Sequence, residues 1–504
     1  MNMDLNAPPQ GTVRDWLDQR ARLSGDVTAY MFLDEDAPLT WAALRQRAQA
    51  MAAHLTVQGL PKGASVAILQ PNGRDAIECL FGALYGGFRA TVVNLVAGDE
   101  AIGYALEHCE APVALVGKAQ QALFERVRPS GLTTLQNIDA SADIELHSLD
   151  PDDDALLMYT SGTTGRPKGV AHSHSSLLAG GWTPAVAHRL TAQDCGLCVL
   201  PIYHINGLCV SVISTLITGG RLAIAEKFSA SKFWTQCETA QATWFSVVPT
   251  IISHLLHSDT SPTPETRARL RFGRSASSPL APDVQTSFET RFDVPIVETM
   301  GLTETAAQIL SNPLPPGVRK IGSPGKAYGN EGCILSADLT PLPPNTQGEI
   351  AVRGPNLMRE YLKNPDATRD TFTPDGWLRT GDLGHIDEDG YFFVTGRLKE
   401  LIIKGGENIA PREIDEALYS HPDVIEAAAF SLPCKTYGER VEAAVKLREG
   451  SELGPEKLIE ICREKLGTFK CPDMVHVLED LPKGPSGKIQ RIKIGSLTKD
   501  LTKA

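Results

Sequence analysis

The stretch MYTSGTTGRPKGVAHSH, Met158 to His174, decides how the rest of the chain is read. Five residues between Tyr159 and Gly169 carry hydroxyls: Tyr159, Thr160, Ser161, Thr163 and Thr164. Gly162, Gly165 and Gly169 free the backbone, and Arg166 and Lys168 flank Pro167. Backbone freedom, hydroxyl donors and two cations in one short run suit an anion, and phosphate first. The apolar "ALLMYT" ahead of it reads as a strand, and a helix is expected from about His172. That order would bring the amides of a helix N-terminus to the anion. A P-loop NTPase needs Gly-Lys-Ser/Thr after GxxxxG. Here Gly169 follows Lys168, and Gly165 stands only three positions before it, so that pattern fails. A plain surface turn does not need so many hydroxyls and cations together.

Outward from this stretch, short apolar runs alternate with helical patterns. "ASVAIL", "RATVVNL", "APVALVG", "GLCVLP", "GRLAIAE", "ATWFSVVP", "LRFGRSAS" and "VPIVETM" read as buried strands, with helices such as Asp75–Gly87 and Ala281–Phe292 between them. Such βα alternation predicts an α/β fold of parallel-rich sheets covered by helices. After about Pro341 the pattern turns antiparallel, with a hairpin turn at Asp387–Gly390. An α+β tail follows, with a helix over Pro411–Val424, strands "VIEAAAFSL" and "VEAAVKL", and a further helix. We expect a large N-terminal domain over 1–397, with an antiparallel subdomain at 340–397, and a small mobile domain over 398–504.

Length 504 is too great for one core. The net charge of −12 argues against a nucleic-acid partner. From Lys399 onward there are 17 Lys+Arg against 18 Asp+Glu, so nearly all the negative excess lies earlier, and a basic patch is easiest to build in the tail. No apolar run is long enough to cross a bilayer, the first residues lack a secretory pattern, and "LTKA" is not a peroxisomal tripeptide. A cytoplasmic location without a membrane partner is the expectation. Ten scattered cysteines fit reduced, buried thiols. Cys195 and Cys198 form a lone CxxC, read as strand packing, and His172 and His174 as a solvated helix start.

Beyond the opening stretch, "LPIYHING" (Leu200–Gly207), "MGLTET" (Met300–Thr305), "GWLRTGD" (Gly376–Asp382), "GRLKELIIKGGENIAPREIDEAL" (Gly396–Leu418) and "PSGKIQR" (Pro485–Arg491) follow in order. On these six motifs the chain resembles the adenylate-forming superfamily of acyl-CoA synthetases, luciferases and peptide-synthetase adenylation domains. The resemblance implies a two-step ligase: a carboxylate attacks the α-phosphate of ATP, and CoA then displaces AMP from the acyl-adenylate. It implies ATP, Mg2+ and CoA as cofactors, with a homodimer possible. It makes Thr160, Ser161, Gly162, Thr163, Thr164, Gly165 and Lys168 the phosphate cradle. Thr303 would contact phosphate and Glu304 would hold Mg2+, which prefers oxygen ligands. Ser277, Thr299, Met300 and Gly301 would line the nucleotide, Asp382 its ribose hydroxyls, and Arg397 its ribose or phosphate. Lys488 would be the catalytic lysine of adenylation and Lys399 the hinge. Lys404, Gly405, Gly406 and Glu407 would replace Lys488 when CoA reacts.

The acyl pocket is expected among His204, Asn206, Val248, Arg274, Ser278 and Gln308, with His204 on the substrate carboxylate. Buried hydroxyls and amides without partners are costly, so this polar lining suits a polar acid. "RSASSPLAP" with "SNPLPPGVRKIGSPG" resembles the oxalate–CoA ligase branch. A short acid with a second anionic group is the expected substrate: oxalate first, then malonate or a sulfonated acid such as sulfoacetate. A medium-chain or aryl acid, or a carrier protein as acceptor, is the alternative. Met300 departs from the family's usual tyrosine before "GLTE", and "GLTE" departs from the "AMTE" of the oxalate branch.

Overall fold

Apolar runs of four to seven residues, with glycine or proline at their ends, stack into parallel-rich sheets whose helices cover both faces. A computed structural model describes residues 4, 6–35, 38–135, 144–160, 166–484 and 488–501. The elements that build the site are, in chain order, β1 (Asp154–Thr160), β2 (Lys168–Ser173), α1 (His174–Ala187), α2 (Pro249–Leu256), β3 (Phe272–Ser275), β4 (Ile296–Leu302), β5 (Ala307–Ser311), β6 (Leu378–Ile386), β7 (Phe392–Arg397), α3 (Pro411–Tyr419), β8 (Val424–Cys434), β9 (Gly438–Leu447), α4 (Pro455–Lys470) and α5 (Arg491–Leu501).

Among the described residues, a seven-stranded sheet runs Glu360–Tyr361, β2, β1, Arg89–Val92, Ser65–Leu69, Val113–Val116, Thr133–Thr134. A nine-stranded sheet carries β5, β4 and β3 beside Trp244–Val247 and Cys195–Cys198. Its central pairs are parallel, and β4 with β5 is antiparallel. One large apolar cluster, from Val13 to Leu314, joins the two sheets through the helices between them. The α/β class read from the alternating pattern is the class observed.

Two antiparallel units follow. Strands Glu331–Leu335, Gly348–Arg353, β6 and β7 form a four-stranded sheet. Its last pair sets Asp382 directly opposite Arg397. The tail pairs β8 with β9, adds Met474–Val477 in parallel, and packs α3 and α4 over its own apolar cluster from Ile402 to Val475.

The structure corrects several expectations. The helix expected from His172 begins at His174, because six residues of β2 come first. Antiparallel pairing of Thr160 with Lys168 sets β1 against β2, so Lys168 opens a strand and not the approach to a helix N-terminus. Nor is the histidine pair solvated: His172 and His174 are fully buried. Helix α3 stops at Tyr419 rather than Val424, since Pro422 lacks an amide and disfavours helix just before it. Cys195 and Cys198 lie buried on one strand as free thiols. Among the described residues no His/Cys/Asp/Glu group is arranged to hold a metal by itself, and no helix is long and apolar enough to cross a membrane.

Candidate active site

Strand β4 ends at Leu302 and turns at once through a short 3-10 segment, Thr303–Thr305. The chain reverses through Ala306 (φ 46°) and Ala307 (φ 89°), two left-handed alanines. Such conformers cost about 1–3 kcal/mol each and persist only where neighbours impose them. Here the Thr303 carbonyl accepts from His172 Nε2 at 2.7 Å. Asn356 Nδ2 donates to the Thr305 carbonyl at 2.8 Å. The Thr305 hydroxyl contacts the Ala307 carbonyl at 2.9 Å and accepts the Leu302 amide at 3.1 Å. Gly301 is obligatory at this bulge, because a Cβ there would sit 1.7 Å from the Ala307 carbonyl oxygen. Burial pushes His172 down to about 4, so it stays neutral and donates from Nε2.

This held turn presents Glu304. Its Oε1 accepts from the Tyr361 hydroxyl at 2.7 Å, and the Lys168 ammonium stands 4.2 Å from the centre of the Tyr361 ring. Tyr361 thus ties the cation beside the glycine-rich stretch to the carboxylate of the turn. Thr160 ends β1 opposite Lys168. Ser161, Gly162, Thr163, Thr164 and Gly165 lie outside the described residues. Sequence reasoning read His172 as solvated, and missed Asn356 and Tyr361, which sit in none of the quoted motifs.

Asp382 and Arg397, paired across β6 and β7, form an ion pair of 2.9 Å. Burial raises Asp382 above the usual carboxylate range, with the charges of Arg397 and Lys488 acting against it. Arg397 is held higher still than usual, chiefly by Asp382. Lys488 reaches this cluster. Its ammonium is 3.5 Å from Glu400 Oε1, and Arg491 lies 3.6 Å from Glu400 Oε2. Burial lowers Lys488, while Glu400 and Asp382 draw it back up and Arg397 and Arg491 press it down. For Glu400 burial acts upward, yet Lys488, Arg491 and Arg397 leave it below the ordinary range. Glu400 follows the expected hinge residue Lys399, which is exposed, and was not singled out from sequence.

The expected acyl-pocket residues meet around Arg274. This guanidinium is 1% exposed. Its Nε donates to Gln308 Oε1 at 3.1 Å, and its Nη1 to Asn206 Oδ1 at 2.7 Å and the Ser246 hydroxyl at 3.2 Å. Among the described residues it forms no ion pair with a carboxylate. Burial alone brings Arg274 down to about 9, which leaves it cationic at neutral pH. Because Asn206 turns its oxygen to Arg274, its amide nitrogen faces the Ser277 hydroxyl at 3.3 Å. Gln308 Oε1 also accepts from His188 at 3.1 Å, and Gln308 Nε2 is buried without a partner. Half-buried His204 likewise leaves its buried Nε2 unpaired and is pushed down to about 4. Gln308 thus leaves a free amide donor beside the Arg274 cation. Ser277 adopts a left-handed conformation (φ 74°) beside partly buried Ser278. Thr299 is buried and donates to the Ser275 carbonyl at 3.1 Å. Met300 packs on the apolar cluster under the antiparallel sheet, and Val248 caps the start of α2.

The Lys404–Glu407 segment is not part of this assembly. Lys404 Nζ donates to the Phe469 carbonyl at 3.0 Å inside its own domain. Gly405 (φ 60°), Gly406 (φ 90°) and Glu407 are exposed, beside exposed Ile403, Tyr437 and Phe469. The structure brings Lys488, and not this loop, to Asp382 and Arg397.

Two family models match the chain: AMP-binding enzyme over residues 17–362, and AMP-binding enzyme C-terminal domain over 413–488. The sulfoacetate–CoA ligase of Cupriavidus necator is 42% identical over 475 residues, spanning 92% of this chain and 93% of its own length. The oxalate–CoA ligase of Arabidopsis thaliana is 36% identical, over 90% of this chain and 92% of the relative. Among solved structures, ATP-bound MatB of Rhodopseudomonas palustris superposes with a TM-score of 0.88 at 30% identity, covering 97% of this chain and 100% of that one.

Proposed function

Because the chain belongs to the family of AMP-binding enzymes, as an AMP-forming acid–CoA ligase using ATP, Mg2+ and CoA, we propose that its acid is short and carries a second anionic group. One observation carries this reading. Arg274 is a buried cation without a carboxylate partner among the described residues, and the neighbouring Gln308 Nε2 is a buried donor without a partner. An unpaired buried charge is costly, and a ligand anion relieves that cost. Sulfoacetate stands first, since the 42% identical relative bears that name, with oxalate and malonate next.

The chemistry follows from the two charged clusters. Attack of a carboxylate on the α-phosphate of ATP is hindered by repulsion between anions. Lys168 and Arg397 supply positive charge for the phosphates, and Lys488 reaches the same region from the tail. Its ammonium would stabilise charge gathering on the α-phosphate and the attacking oxygen. Asp382, fixed by Arg397, would accept hydrogen bonds from the ribose hydroxyls. Glu304 keeps an oxygen not engaged by Tyr361, a hard oxygen donor of the kind that would suit Mg2+. Bound there, Mg2+ would neutralise phosphate charge. Neutral His204, with its unpaired Nε2, would meet the substrate carboxylate. After pyrophosphate leaves, rotation about Lys399 would withdraw Lys488 and bring Gly405 and Gly406 to a site where their small size admits the thin arm of CoA.

The test is CoA-dependent AMP release with a panel of acids. We expect sulfoacetate, oxalate or malonate to give the highest kcat/KM. Preference for medium-chain or aryl acids would refute the substrate reading.

A further inference from the structure

Helix α2 spans eight residues between two sites of different character. Its N-cap is Val248, in the expected acyl wall. Its last turn grips the tail: the Ser253 hydroxyl donates to the Ile425 carbonyl at 2.5 Å, and His257 Nε2 lies 3.1 Å from the Pro422 carbonyl. Between them His254 Nε2 meets Glu426 Oε1 at 3.1 Å. The Glu426 side chain is 0% exposed, and that of His254 35%. The other Glu426 oxygen is 2.9 Å from Lys483 Nζ.

Lys483 belongs to the segment that carries Lys488. It bridges Ile489 in antiparallel fashion, the Gly484 amide donates to the Lys488 carbonyl at 2.7 Å, and the Gln490 amide donates to the Pro482 carbonyl at 2.8 Å. One line of contacts therefore runs from α2 through Glu426 and Lys483 to the backbone of Lys488. Glu426, Lys483 and Lys488 all follow the hinge residue Lys399, whereas His254 precedes it, so rotation about the hinge must break the His254 contact and no other in this line.

We propose that His254 is a positioning residue for acyl-adenylate formation: by holding Glu426 across the hinge, it seats Lys483 and, through the pairing of Lys483 with Ile489, Lys488 against the nucleotide site. The inference rests on the two-step reading above. Acyl-adenylate formation scales with the fraction of molecules in this orientation, and transfer to CoA with the fraction rotated away. Their ratio is then the orientation equilibrium itself, whatever its starting value. Burial acts to raise Glu426, and the hydrogen bonds from His254 and Lys483 more than offset it, so the carboxylate is held charged. Losing one charge-assisted hydrogen bond to it shifts such an equilibrium about tenfold.

The experiment compares single-turnover pyrophosphate release with transfer of preformed acyl-adenylate to CoA, in the wild type and in His254→Ala and His254→Gln. Thermal midpoints verify folding, and His254 is exposed enough for Ala to leave the core intact. The ratio of the two rates should fall about tenfold in His254→Ala, through slower adenylation or faster transfer. Glutamine, which keeps a neutral N–H donor, should restore most of it. An unchanged ratio, a shared loss of both half-reactions, or an equal fall in both variants overturns the proposal. If the two-step reading itself fails, the wild-type protein forms no acyl-adenylate with any acid, which is a different result.

Discussion

Arg274→Met separates the structural from the functional role of the buried guanidinium. The substitution removes hydrogen bonds to Gln308, Asn206 and Ser246, but no acceptor is stranded. Gln308 Oε1 keeps His188 at 3.1 Å, and Asn206 Oδ1 keeps the Ser246 hydroxyl at 3.3 Å. The cost of burying an unpaired cation disappears at the same time. Methionine fills a similar length, so stability should change by no more than about 1–2 kcal/mol in either direction. Activity should respond differently. A hydrogen bond or ion pair to a charged ligand group contributes about 1.5–3 kcal/mol, a loss of roughly 10- to 150-fold in kcat/KM. That loss should fall on acids with a second anion and largely spare acetate and propionate. The assay is CoA-dependent AMP release for sulfoacetate, oxalate and malonate against the two monocarboxylates, with a thermal melt of each protein. Equal losses for both classes of acid, or retained activity on the dianions, would refute the reasoning.

Tyr361→Phe keeps the ring near Lys168 and deletes the donor to Glu304 Oε1. The half-saturating Mg2+ concentration for pyrophosphate release should rise about tenfold, as for other groups that orient a metal ligand; an unmoved titration counts against Glu304 as that ligand. The pH dependence of adenylation gives a further check. Burial lowers Lys488 and Glu400 raises it, and the lysine works only as a cation, below its own pKa. Glu400→Gln should therefore move the alkaline limb of acyl-adenylate formation to lower pH, by about one unit, and leave that of CoA transfer in place. A limb that stays put, or moves up, rules out the Glu400–Lys488 coupling.

Which parts of this were legible in the sequence follows from how local each signal is. Strands such as Ser65–Leu69 and Val113–Val116 were readable because a strand buried on both faces needs a near-continuous apolar run. Glu304, Asp382, Arg397 and Lys488 were singled out through the six ordered motifs and the family resemblance these carry, since an isolated acid or a basic loop has no local signal of its own. The hairpin β1–β2 was misread, since β2 is short and begins at Lys168, just after Pro167. His172 looked solvated because two histidines before a serine pair resemble a polar helix start. In the fold it is buried and carries the strained turn that presents Glu304.

By itself the sequence determined the α/β class, the order of the motifs and the kinds of charge the reaction needs, because each is written in adjacent residues. Only the tertiary structure decided which charges meet. Asp382 faces Arg397 through strand register, Lys488 arrives from about ninety residues further on, and Arg274 lies buried without a carboxylate partner among the described residues. Such pairings depend on how sheets stack and how the tail docks, and neither leaves a trace in local spacing. The reach of His254 to Glu426, 172 positions apart, is of the same kind. Its chemistry is visible in two ordinary residues, and its meaning appears only when the fold brings them within hydrogen-bonding distance.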